Sequence, residues 1–136
     1  MATQRKAFTW AGWIIAALIA LMLLSGVIMS FVAPEQTTKH LVEEFGYPED
    51  VALPLIVVET CCLIVYLVPR TAVLGAILLT GYLGGAVATH VRVHDNFVFP
   101  VIFGIFVWLS VYLRDPRVRA LLPISRRMPN SGNTPI

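Results

Sequence analysis

The sequence predicts an all-α integral membrane protein, a four-helix bundle with a short interfacial helix between its first and second spans. Three observations point there. The 136 residues are 57% hydrophobic and only 13% charged, with a mean hydropathy of +0.78. One core cannot hide that much apolar surface, so the excess has to face lipid. The apolar residues fall into four runs, each close to the ~20 residues that cross a hydrocarbon core of ~30 Å. The basic residues also gather on one side of those runs.

The elements follow in chain order. The first span covers residues 10–33. Arg5-Lys6 ahead of it resembles the start of a signal peptide, but the uncharged run from Phe8 to Ala33 is too long for one. Phe31 and Pro34 also make a poor cleavage site after Ala33, so the segment reads as a retained anchor. In the next stretch Leu41, Val42 and Phe45 recur at helical spacing opposite Lys39, Glu43 and Glu44. Pro34 can open a helix there and Gly46 with Pro48 can end it, giving an interfacial helix over 35–46.

The second span, 51–68, is interrupted by a single charge, Glu59, and carries Pro54 in its first turn, where a missing N–H is tolerated. Pro69-Arg70 makes a tight turn, so the second and third spans are antiparallel neighbours. The third span is 71–90. The fourth, 97–113, is short and ends in Trp108 and Tyr112, which suit the interface. Residues 1–113 thus form one transmembrane domain. Residues 114–136 are basic and proline-rich, and are expected to be a loose cytoplasmic tail held near anionic lipid by its charge and by Leu121, Leu122 and Ile124.

Orientation follows from the distribution of positive charge. Arg5, Lys6, Arg70, Arg114, Arg117, Arg119, Arg126 and Arg127 fall on one side, and only Lys39 and Arg92 on the other. The positive-inside rule then places both chain ends in the cytoplasm. No basic, aromatic-interleaved surface for nucleic acid is present. Cys61 and Cys62 are adjacent in an apolar run, which favours two small core residues over a C-x-x-C redox pair.

Glu59 is the sharpest chemical signal. A carboxylic acid inside a span is costly to insert, so it should face the bundle interior or a wet cavity, where it can give or take a proton. By helical rise it lies about 12 Å below the outer end of its span. Ser25 and Gly26 of the first span and Tyr82 of the third fall at a similar level, with Thr89 above Tyr82 on the same face. These groups can line one outward-opening pocket, with His90 and Arg92 at its mouth. Ser25, Thr60 and Thr89 can equally bond their own helix carbonyls. Glu59 and His90 are the candidate acid–base pair; Ser25, Tyr82, Thr89 and Arg92 complete the candidate ligand set.

His90 with His94, and His40 with Glu44, stand at i and i+4, a spacing that would suit a metal or haem if helix continued through both segments. That reading ranks below the pocket, and no metal ligand is assigned. The pattern Gly81-x-x-x-Gly85 predicts a close helix-packing face.

The stretches Val68-Pro69-Arg70, Leu74-Gly75-Ala76, Leu79-Thr80-Gly81-Tyr82-Leu83-Gly84-Gly85-Ala86 and Ala88-Thr89-His90-Val91-Arg92 resemble the signature of the DoxX-like family. Ser25-Gly26, the Gly46-Tyr47-Pro48 turn and Glu59 are similar too. The resemblance implies a small four-span protein of the bacterial inner membrane. The family takes its name from a small subunit associated with thiosulfate:quinone oxidoreductase, so the resemblance also implies a quinone as ligand and redox subunits as partners. Its pattern points at Glu59, Tyr82, Thr89, His90 and Arg92.

The leading expectation is therefore a membrane subunit whose pocket binds a quinone or another small hydrophobic molecule. The alternatives are a stand-alone acid–base enzyme of isomerase type acting on a lipid-soluble substrate, and a non-catalytic assembly factor for a membrane complex. A proton-coupled drug exporter of similar size would carry its acid in the first span and lack the charge bias. A homo-oligomer remains open.

Overall fold

The computed structural model describes residues 2–122. Four long helices dominate: α1 (Ala2–Val32), α3 (Ala52–Leu67), α4 (Ala72–Arg92) and α5 (Val98–Arg114). Between α1 and α3 lie the short helix α2 (Pro34–Lys39), a π-helical turn at His40–Glu44 and a 3-10 turn at Glu49–Val51. A last short helix, α6 (Pro116–Leu121), follows α5. Among the described residues there is no strand.

The helices wear their apolar side chains outward. Leu18, Leu21 and Ile28 on α1 and Ile102 and Ile105 on α5 are exposed, as lipid-facing positions are. Helices α1, α3 (with its preceding 3-10 turn) and α4 are long and apolar enough to cross a membrane; α5 is shorter at 17 residues, about 25 Å of helix. The core is built from smaller and interlocking residues: Ala16 and Ile19 of α1, Cys62, Leu63 and Tyr66 of α3, Ala76 and Leu79 of α4, Val107 and Val111 of α5.

Packing runs around the bundle. Helix α1 lies against α5 and less extensively against α3, while α4 lies against both α3 and α5. Successive long helices are therefore neighbours, and α1 and α4 occupy opposite corners. Two glycines set the close approaches. A Cβ on Gly12 would come within 2.8 Å of the Ser110 carbonyl oxygen, and one on Gly75 within 2.2 Å of the Tyr66 backbone. The expectation that Gly81-x-x-x-Gly85 is such a face is overturned: a Cβ on Gly81, Gly84, Gly85 or Gly26 would meet nothing within 4 Å. The reason is that Gly81 and Gly85 border open space rather than a neighbouring helix.

Polar groups tie the corners of the bundle, one network buried and one on its exposed face. The Tyr66 hydroxyl bonds Ser110 Oγ, which in turn donates to the Val107 carbonyl at 3.2 Å. Trp108 Nε1 donates to Thr80 Oγ1 at 2.9 Å, and Thr80 passes its own proton to the Ala76 carbonyl at 2.7 Å. Ser110 thus accepts from Tyr66 and donates to Val107, and Thr80 accepts from Trp108 and donates to Ala76, so both hydroxyls use their proton and a lone pair.

The interfacial segment expected over 35–46 is α2 plus the π-helical turn. Phe45, which caps that turn, is buried. Of the tail expected to be loose, Pro116–Leu121 form α6 with Val118 buried and Asp115 Oδ1 accepting from the Arg117 N–H at 2.8 Å. The remainder of that tail, 123–136, with Ile124, Arg126 and Arg127, lies outside the described residues.

Candidate functional site

The crossing between α1 and α3 shapes one end of the bundle. The chain leaves its π-helical turn through Gly46, whose φ of +67° lies in the left-handed region that glycine enters without a Cβ clash. The turn is closed by Gly46 N–H to the Val42 carbonyl at 3.1 Å and Tyr47 N–H to the Leu41 carbonyl at 3.0 Å. This reversal sends Tyr47 back over α4. Its hydroxyl meets Thr89 Oγ1 at 2.6 Å. Because Thr89 donates to the Gly85 carbonyl at 3.0 Å, the single proton of Tyr47 is the one shared with Thr89.

Under the crossing is a cavity of about 330 Å³ lined by Leu41, Phe45 and Tyr47 from the crossing, Leu55 from α3, and Gly81, Tyr82, Gly85, Ala86, Thr89 and His90 from α4. The α4 positions recur at i, i+1, i+4, i+5, i+8 and i+9, one face of a helix. Gly81 and Gly85 make the space by contributing no side chain.

Three of the expected site residues line this cavity together: Tyr82, Thr89 and His90. Glu59 stands behind Tyr82, one turn beyond Leu55 on α3, and Oε2 accepts the Tyr82 hydroxyl at 3.0 Å. A carboxylate accepting from a phenol is a charge-assisted bond, stronger than a neutral one. His90 Nδ1 is 2.7 Å from the Ala86 carbonyl. A carbonyl can only accept, so Nδ1 carries a proton and Nε2 is left as the acceptor of the neutral ring. Nε2 is 3.8 Å from Asp95 Oδ2, beyond a direct hydrogen bond. Tyr82 and His90 are two turns apart on α4, about 12 Å along the axis. Glu59 and His90 are therefore set toward opposite ends of the cavity.

The other expected residues lie elsewhere. Ser25 is exposed and donates to the Met22 carbonyl of its own helix at 2.6 Å. Arg92 does not line the cavity. Its Nη2 donates to the Phe45 carbonyl, and its guanidinium lies 5.5 Å from the Tyr47 ring centroid, so it straps the crossing to the end of α4. His40 pairs with Glu44 at 2.8 Å. His90 and His94 do not share a face, because α4 ends at Arg92 and His94 takes a φ of 57°. Among the described residues no three His, Cys, Asp or Glu side chains group as metal ligands do.

Phe45, Tyr47, Leu41 and Leu55 were not among the expected site residues. Phe45 packs on His90 with ring centroids 5.1 Å apart. The available signal was the Gly46-Tyr47-Pro48 turn, whose tyrosine sits beside the one glycine among the described residues with positive φ.

Arg92→Ala is expected to loosen the crossing without unfolding the bundle. A hydrogen bond from a charged donor contributes about 1.5–3 kcal/mol when shielded and less at an exposed position, so hydrogen exchange at Gly46 and Tyr47 should quicken several-fold. Unchanged exchange there would show that the strap contributes nothing.

An all-helical bundle with lipid-facing apolar helices and a small cavity at one end defines a small α-helical membrane protein. Within that class the chain belongs to the DoxX-like family, whose sequence profile matches residues 14–110. The match runs from α1 into α5 and leaves α6 outside. No protein of curated function and no solved structure matches the chain.

Proposed function

We propose that the cavity binds a quinone headgroup, or another small hydrophobic molecule with polar groups at its ends, and that the protein serves as a ligand-binding subunit of a membrane redox system. The observation that carries this is the cavity itself. It has about 330 Å³ of space, the lower end of the ligand-pocket range. Its walls are apolar, with a phenol–carboxylate pair toward one end and an imidazole toward the other.

The roles follow from donors and acceptors. Tyr82, with its proton engaged by Glu59, offers lone pairs to the cavity. When Glu59 holds a proton the chain reverses: Glu59 donates to Tyr82, and Tyr82 donates to a ligand oxygen. His90 Nε2 accepts from a ligand hydroxyl at the other end. Such paired proton-handling groups suit a ligand whose oxygens gain and lose protons as it is reduced and reoxidised. The bias of basic residues, eight against two, supports an opening toward the periplasmic side of the inner membrane.

The test is direct. The protein is purified in mild detergent, co-purified small molecules are identified by mass spectrometry, and a short-chain ubiquinone analogue is titrated while intrinsic fluorescence is followed. Gly85→Leu puts a branched side chain into the open wall. It is expected to abolish binding and leave the melting temperature within a few degrees of wild type, because a Cβ at that position meets nothing within 4 Å. Absence of both a bound molecule and saturable binding in the wild type would defeat the proposal.

A further inference from the structure

The opposite end of the bundle holds a second cavity, of about 350 Å³, lined by Trp13, Arg70, Arg114, Asp115 and Arg117 among others. We propose that it binds the phosphate group of an anionic phospholipid, with the acyl chains laid along α1.

Arg114 forms the inner wall of this cavity. Its guanidinium is held between two rings, 4.8 Å from the Trp13 centroid and 4.6 Å from that of Tyr66. Nη2 donates to the Tyr66 carbonyl at 2.9 Å, while Nε and Nη1 are buried and meet no acceptor among the described residues. Among those residues the ion pairs are His40–Glu44 and His90–Asp95, both at the far end. The sequence carries no Asp or Glu after Asp115, so residues 123–136 hold no side-chain carboxylate that could pair with it. Asp115 commits one oxygen to the Arg117 N–H at 2.8 Å. Three arginines against one aspartate leave the lining with two net positive charges. That excess of positive charge favours an anion, and the flat, forked guanidinium groups of Arg70 and Arg117, exposed to solvent, are shaped for a phosphate.

A lipid is favoured over a free phosphate by what adjoins the site. Trp13 is shared with a groove of about 650 Å³ along α1, lined by Thr9, Trp10, Trp13, Ile14 and Ala17. The two cavities meet at one ring, cationic on one side and apolar on the other, which is the polarity profile of a phospholipid at a membrane interface. Arg70 and Arg117 are exposed at the mouth, where a headgroup arrives.

The test uses the full chain, delipidated in detergent and titrated with phosphatidylglycerol, phosphatidylcholine or inorganic phosphate, with binding read by native mass spectrometry. Saturable phosphatidylglycerol binding is expected, with phosphatidylcholine much weaker and millimolar phosphate failing to displace the lipid. Because Arg114 also bonds Tyr66, the decisive variant is the double change Arg70→Gln/Arg117→Gln, expected to weaken phosphatidylglycerol binding by about tenfold or more at an unchanged melting temperature. Equal binding of both lipids, an unaffected double variant, or full displacement by phosphate alone would each overturn the proposal.

Discussion

Gly75→Ala is expected to be among the most destabilising single substitutions in this protein, although it adds one methyl group to a helix. That methyl would lie 2.2 Å from both Cα and N of Tyr66 and 2.7 Å from its Cβ. The first two are backbone atoms of the adjoining helix and cannot rotate aside. Overpacking against mobile side chains costs about 1–3 kcal/mol; displacing a helix should reach the top of that range or exceed it. The damage spreads because Tyr66 joins α3 to Ser110 on α5 through its hydroxyl and to Arg114 through its carbonyl. Gly84→Ala is the matched control. Its Cβ meets nothing within 4 Å, and alanine is the better helix former by about 1 kcal/mol, so that variant should be as stable as wild type or more so. Circular dichroism melts in detergent check both. Equal stability of the two variants would mean that α3 and α4 do not approach this closely.

The second large effect is expected at the phenol–carboxylate pair. Tyr82→Phe removes the donor to Glu59 and leaves a half-buried carboxylate unsatisfied on that side. Hydrogen bonds to charged groups contribute about 1.5–3 kcal/mol, and each 1.4 kcal/mol is about tenfold in affinity. That energy bears on stability; the quinone analogue loses only the Tyr82 hydroxyl as a neutral partner, worth about 0.5–1.5 kcal/mol, and should bind up to about tenfold less tightly. Glu59→Gln is different, because a glutamine oxygen can still accept from Tyr82. That variant should bind the analogue within a few-fold of wild type while losing the capacity to pass a proton. If both variants bind as wild type does, the pair serves packing alone.

The contrast between what the sequence disclosed and what it hid has a physical pattern. Helix existence was legible because a membrane span is a long apolar run, and Gly46 with Pro48 marks a chain reversal, but α1 starts at Ala2 rather than at residue 10, because hydropathy ends at the charged Arg5 and Lys6 while the helix does not. The level of Glu59 and Tyr82 was legible too, since rise per residue is constant, and the two do meet. Rise carries no information about which way a residue faces. Ser25 was placed at the same level as Glu59 by that arithmetic, yet it sits on an exposed face of α1, across the bundle from α4. Gly81-x-x-x-Gly85 failed for the same reason: the spacing says that one face is smooth, not that a helix occupies it. Gly12 and Gly75, which do mediate close approach, belong to no spaced pair with each other. Tyr47 and Phe45 depended on a backbone reversal whose exit direction no periodicity encodes, and the same reversal brings the Phe45 carbonyl to Arg92.

The smooth strip on α4 also makes the cavity adjustable. Since its room comes from hydrogens at Gly81 and Gly85 and not from displaced helices, a small side chain at either position trims the space from one wall and leaves the scaffold at rest. A single base change in the gene can thus resize the cavity with little cost in folding, and with it the largest molecule that the proposed site would take.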